Sequence, residues 1–151
     1  MRTRVIVCLA ATALIASACS KSDGTSGGGG DSSGAEDGGR ERVTLDGKAA
    51  NNHGTANVAG KGRIEVEMAD FYFSPTVLEG NASQLIAVEL TNNSQTLHNF
   101  SNKDLGIDVD VKAGDTADVR VTFGNVLDAI SVFQCKYHAS QGMRMAIRVP
   151  R

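Results

Sequence analysis

The sequence predicts an all-β domain, a sandwich or barrel of about eight short strands. From Arg63 onward apolar residues recur at every second position, as Ile64, Val66 and Met68 do against Glu65 and Glu67. That is the period of a strand with one face buried. Gly, Asn and Asp turns punctuate these stretches, and no segment of any length carries the period of an amphipathic helix. Short strands at regular spacing, joined by turns and without helices, belong to two-sheet or barrel architectures. Residues 63–151 are enough for a small core of this kind.

The chain does not begin with that domain. Arg2 and Arg4 precede an apolar run, Val5 to Ile15, which is too short to span a bilayer and ends in Ala16, Ser17 and Ala18. Residues 1–18 therefore read as an export signal. Cys19, directly after the small residues, resembles the lipid-bearing cysteine of a bacterial lipoprotein, although Ala16 stands where a leucine is usual. Residues 19–40 include KSDGTSGGGGDSSGAEDGGR. So few apolar groups cannot offset the entropy of ordering, so this is expected to be a flexible, lipid-anchored tether. Residues 41–62 are full of turn formers and read as an irregular extension. His53 within them is expected to be a solvated loop histidine.

The strands follow in order. Arg63 to Met68 alternates; in ADFYFSP, Pro75 limits pairing, and Phe71 and Phe73 can share a face. Thr76 to Leu78 is short and turns at Glu79-Gly80-Asn81. Gln84 to Thr91 places Ile86, Val88 and Leu90 on one face and stops at Asn92-Asn93. Thr96 to Ser101 carries His98, and Ile107 to Val111 ends before the turn Ala113-Gly114-Asp115. Asp118 to Phe123 directs Val119, Val121 and Phe123 inward. Ile130 to Gln134 leads into the stretch FQCKYHASQGM, and Arg144 to Val149 closes the domain.

That stretch sets a thiol at Cys135, an imidazole at His138 and a thioether at Met143, with a second imidazole upstream at His98 in TLHNF. Two imidazoles, a thiolate and a weak thioether form a blue-copper ligand set. Zinc gains little from a thioether, and calcium or magnesium would require oxygens. The spacing Cys-x2-His-x4-Met after an upstream His-Asn resembles the cupredoxin family, in particular its plastocyanin, pseudoazurin and amicyanin branches. The resemblance covers residues 63–151. It implies a Greek-key β-sandwich with one copper ion, cycling between Cu(II) and Cu(I), at one pole. It implies His98, Cys135, His138 and Met143 as ligands, with His98 buried and the edge of His138 reaching solvent. Asn99 inherits an outer role: its N–H donates to the metal-bound sulfur, and its side chain can tie the two ligand loops.

Each residue also has a plainer reading. Cys135 could be an inert core residue, or a thiol nucleophile with His138 as its base. No orienting acid or oxyanion hole is recognisable for the second. Met145 competes with Met143 for the axial place and is expected to pack in the core. Lys136 and Tyr137 could help docking or simply be solvated. The formal charge of −2 argues against nucleic acid as a partner. Cys8 leaves with the signal, Cys19 takes lipid and Cys135 takes metal, so no disulfide pair remains.

The expected protein is a monomeric one-electron carrier, not an enzyme. It is expected to be exported, lipid-anchored at the cell surface or on the periplasmic side of a membrane, and to serve redox partner proteins. A copper storage or delivery protein is the alternative.

Overall fold

The computed structural model describes residues 41–151. The signal, the tether and Cys19 lie outside the described residues. Twelve strands are present among the described residues: β1 Arg42–Leu45, β2 Lys48–Asn51, β3 Thr55–Asn57, β4 Arg63–Ala69, β5 Tyr72–Ser74, β6 Val77–Glu79, β7 Leu85–Asn92, β8 His98–Asn102, β9 Ile107–Val111, β10 Thr116–Thr122, β11 Ile130–Gln134 and β12 Arg144–Arg148. One 3₁₀ turn, Ala139–Gln141, interrupts them. A four-stranded sheet, in the order β10-β7-β4-β5, packs on a six-stranded sheet, β3-β6-β12-β11-β8-β9. The chain changes sheet six times, between β3 and β4, β5 and β6, β6 and β7, β7 and β8, β9 and β10, and β10 and β11, so the domain is a Greek-key β-sandwich.

The alternating residues meet in the core, as the periodicity predicts. Val66 and Met68 of β4, Ile86, Val88 and Leu90 of β7, and Val119 and Val121 of β10 are all buried. They share one cluster with Leu78, Phe100, Phe133, Met145 and Ile147 from the opposite sheet. Three aromatics form its centre. Phe100 stacks on Phe133 at 4.4 Å between ring centroids and meets Phe73 edge-on at 5.8 Å. Both are favoured arrangements of the ring quadrupoles. Gly80 adjoins this core, where an added Cβ would lie 2.6 Å from the Phe123 ring.

The segment 41–62 is not irregular, and the count of about eight strands is too low. Asp46 and Gly47 both have positive φ, 47° and 74°. Two left-handed residues in a row make a type I′ turn, whose twist suits a two-residue hairpin. β1 and β2 therefore pair antiparallel, from Arg42 opposite Asn51 to Leu45 opposite Lys48. The hairpin covers the outer face of the six-stranded sheet. Met145 and Ile147 point into the core, so Ala146 between them points outward, where it is buried with Val77 against Leu45 and Ala50. β3 then adds itself in parallel beside β6.

A second departure concerns Phe71. It lies between β4 and β5 rather than on a strand face, and packs only partly buried against the core that holds Phe73. Its φ of 67° turns the chain between β4 and β5 and sends its ring to one pole of the sandwich.

The aromatic centre is expected to dominate stability. Phe100→Ala should cost about 3–5 kcal/mol, the usual loss for an aromatic removed from a packed core. Urea denaturation of the variant against the parent protein measures it.

Candidate metal centre

Strand register carries the sequence-predicted ligands to one pole. β11 lies between β8 and β12, with Gln134 opposite Ser101 on one side and Arg144 on the other. β8 begins at His98 and β11 ends at Gln134, so His98, Cys135 and Met143 all emerge from the same end of the sheet. The loop between Cys135 and Met143 is closed at its base by the Cys135 N–H donating to the Met143 carbonyl at 3.1 Å. Within it, His138 N donates to Cys135 O at 3.1 Å, and Gln141 N and Met143 N both donate to His138 O, at 3.0 and 3.3 Å. Gly142 reverses the chain with φ of 87°, a conformation that glycine adopts without strain.

The donor atoms converge. His98 Nδ1 lies 3.2 Å from His138 Nδ1, and Cys135 Sγ lies 3.4 Å from the same nitrogen. The ligand atoms of His98, Cys135 and His138 all fall within 4.8 Å of one another. Two imidazole nitrogens held at about 2.0–2.1 Å by one ion, near the tetrahedral angle, would be ~3.3 Å apart; a thiolate at about 2.3 Å would lie ~3.5 Å from either. The His98–His138 and Cys135–His138 spacings match this, so the residues fit a single metal ion. Met143 is fully buried in the same cluster as Cys135. Met145, opposite Phe133, packs in the core as expected.

His98 and Cys135 are fully buried, whereas His138 is only half-buried. Thr96 Oγ1 stands 3.4 Å from His98 Nε2, the nitrogen turned away from the cluster. That arrangement leaves Nδ1 as the lone-pair donor. Burial, and secondarily the neighbouring His138, push the His98 pKa below its ordinary value, with Asp70 opposing. The shift favours the neutral, metal-binding form of the ring. The Phe71 ring lies 5.0 Å from His138, and the Tyr137 ring 6.4 Å away. Tyr137 is exposed beside it, and Leu97, which precedes His98 in the chain, is exposed too.

Asn99 is fully buried, and its carboxamide bonds on both sides of the site. Nδ2 donates to Asp108 Oδ1 and Asp110 Oδ1, both at 2.7 Å, while Oδ1 accepts the Lys136 N–H at 3.4 Å. The two aspartates escaped notice in the sequence because they read as the polar face of a short strand. They also hold the ligand loop from outside. Lys136 Nζ sits 2.8 Å from Asp108 and 3.2 Å from Asp110, and the Tyr137 hydroxyl donates to Asp110 Oδ2 at 3.0 Å. Lys136 and Tyr137 are therefore partnered rather than merely solvated. His53 lies apart from the cluster: its ring stacks on Tyr72 at 3.5 Å and its N–H donates to Thr76 Oγ1.

The sequence matches the cupredoxin-like domain family over residues 45–143. No curated relative matches it. Among solved structures, the metal-binding domain of the Cu(I)-exporting P-type ATPase CopA of Streptococcus pneumoniae D39 is similar, with TM-score 0.51 and 12% identity over 66% of this chain and 98% of that one. A reduced auracyanin of Roseiflexus castenholzii aligns at TM-score 0.44 and 17% identity over 60% and 98% of the two chains. A heme-copper terminal oxidase aligns at TM-score 0.49 and 16% identity over 60% of this chain; the match spans 65% of the oxidase chain.

The acid pair yields a test. Asp108 is held below the usual carboxylate range first by Lys136, and Asp110 first by Asn99. A depressed folded-state pKa stabilises the fold above the unfolded value, and that contribution disappears as pH falls through the lowered one. The anchor on the ligand loop should therefore hold at neutral pH and weaken below about pH 4. Lys136→Ala should raise the Asp108 pKa more than that of Asp110, and Asn99→Ala should reverse the ranking. Side-chain carboxyl NMR titration reads both.

Proposed function

The chain belongs to the cupredoxin family, and from that premise we propose that it is a type 1 copper protein carrying single electrons outside the cytoplasmic membrane. The observation that carries this reading is the meeting of His98, Cys135 and His138 donor atoms within 4.8 Å, beside a buried Met143. The cofactor is one copper ion, and its Cu(II)/Cu(I) couple supplies the one-electron chemistry. The protein supplies the rest. His98 and Cys135 are sealed from water, and the half-exposed ring of His138 is the route to a redox partner. Hydrogen bonds across the loop and from Asn99 hold the donors in place before and after each transfer, which keeps rearrangement small. Trinuclear copper chemistry would need more imidazoles than the three histidines of the chain provide.

The purified protein, given one equivalent of Cu(II), is expected to develop intense visible thiolate-to-copper absorption. Cys135→Ala should remove it, and a variant that kept the full band would overturn the assignment. Repeated reduction and oxidation with copper retained supports a carrier. Rapid loss of Cu(I) to an acceptor would favour storage or delivery instead.

The N-terminal sequence supports export and a lipid anchor at Cys19, with residues 19–40 as the tether and a monomeric domain beyond it. In this reading the protein works at the cell surface or on the periplasmic side of a membrane. In its own cells the full-length protein should sediment with membranes, and Cys19→Ser should free it. Two acyl chains on one cysteine satisfy the two-signal requirement for stable anchoring. A wild-type protein found wholly in the soluble fraction would refute the anchor.

A further inference from the structure

We infer that Asn51, on the β1–β2 hairpin, is a positioning residue of the metal site, holding the peptides that set Met143 and the ring that covers His138. This rests on the copper reading only for its spectroscopic arm. Asn51 is 2% exposed, at the end of β2 nearest the ligand loop. Its backbone N–H donates to Gly142 O at 3.0 Å, and its side-chain Nδ2 donates to Gln141 O at 2.9 Å. The second Nδ2 hydrogen goes to Phe71 O at 2.8 Å. One carboxamide nitrogen has two N–H groups, and both are spent on backbone carbonyls, one on each side of the hairpin's end.

The two carbonyls in the loop belong to the residues immediately before Met143. Holding them fixes the peptide planes through which Met143 enters the site. Met143 N donates to His138 O, so the same planes also limit where His138 sits. The third carbonyl belongs to Phe71, a bulky residue in the left-handed region at φ 67°. That conformation is unfavourable for such a side chain and persists only where neighbours enforce it. Asn51 is one of those neighbours, and the ring it helps to place lies 5.0 Å from His138. The fit against Gly142 is close: a Cβ there would meet Asn51 Oδ1 at 2.9 Å. The hydrogen bonds that Asn51 donates go to backbone carbonyls, so it acts through the backbone and through Phe71. Because the axial ligand and the surroundings of the site tune a blue-copper potential, a loosened clamp should alter it.

The test compares Asn51→Ala and Asn51→Asp with Ile86→Val, a core change on the other sheet. Asn51→Asp keeps the shape but replaces the two donors with a carboxylate. In copper-loaded protein, both Asn51 variants should shift the visible and EPR spectra and the reduction potential, and release Cu(I) to a chelator at least tenfold faster. Ile86→Val should leave all of these unmoved. In metal-free protein, the Asn51 variants should shift the Met143 methyl and His138 ring NMR resonances. This arm stands whether or not the protein takes copper. Folded Asn51 variants with wild-type spectra, potential and metal-free resonances would overturn the inference. If neither variant folds, the wild-type Asn51 carboxamide decides: slow hydrogen exchange supports the clamp, and exchange at the rate of a free amide overturns it.

Discussion

Strand β11 is held on both sides, by β8 through Gln134 and Ser101 and by β12 through Gln134 and Arg144. The rest of the site depends on this pairing. A slip by one residue would move every side chain of β11 to the opposite face of the sheet. Phe133 would then leave the aromatic stack and Cys135 would leave the cluster. The core enforces the register, because Phe133 has to meet Phe100 and Met145 has to lie inward. Hydrophobic packing two or three residues away thus determines where a thiolate stands.

Once register has placed the donors, polar groups keep them there from two directions. On one side Asn99 joins the His98 strand to Lys136 and to the acid pair of β9, and the same acids take Lys136 and Tyr137. On the other side the β1–β2 hairpin reaches Gln141, Gly142 and Phe71. The two restraints differ in kind. The carboxylates and Lys136 are substantially exposed, so screening by water keeps their energetic contribution small, and their effect is mainly orientation. Asn51 and Asn99 are buried, where a donor left unpaired costs about 1–3 kcal/mol, and Asn51 spends its side-chain donors although its Oδ1 has no partner. The buried amides are therefore the stiffer part of the frame.

Most of the sandwich was legible because β4, β7, β10 and β12 have one apolar face each, and period-two alternation reports that directly. The ligands were legible because their chemistry is rare in combination: Cys135, His138 and Met143 fall within one short loop. The hairpin was hidden for a physical reason. Its buried apolar residues, Leu45 and the small Ala50, are too few to make a pattern, although Asp46-Gly47 between VTL and KAA was a usable turn signal. Asp108 and Asp110 have the alternation of any solvated strand face, and only the tertiary structure shows them meeting Lys136. Asn51 carries no local sign at all, since its importance lies in carbonyls 20 and 90 residues away in sequence. Phe71 misled because alternation assumes continuous strand, and the chain turns there instead.

The hydrogen bond between Cys135 N and Met143 O makes the ligand loop look like a cassette, closed at its base and replaceable as a unit. The hairpin denies it that independence. A loop of different length or sequence grafted between the same two strands would keep the base closure yet lose its match to Asn51. Two carbonyls of the graft, and the buried carboxamide, would then lose their partners. Change in this loop is thus coupled to change in a hairpin that lies almost a hundred residues earlier in the chain. The exchangeable unit is the pair, loop and hairpin together.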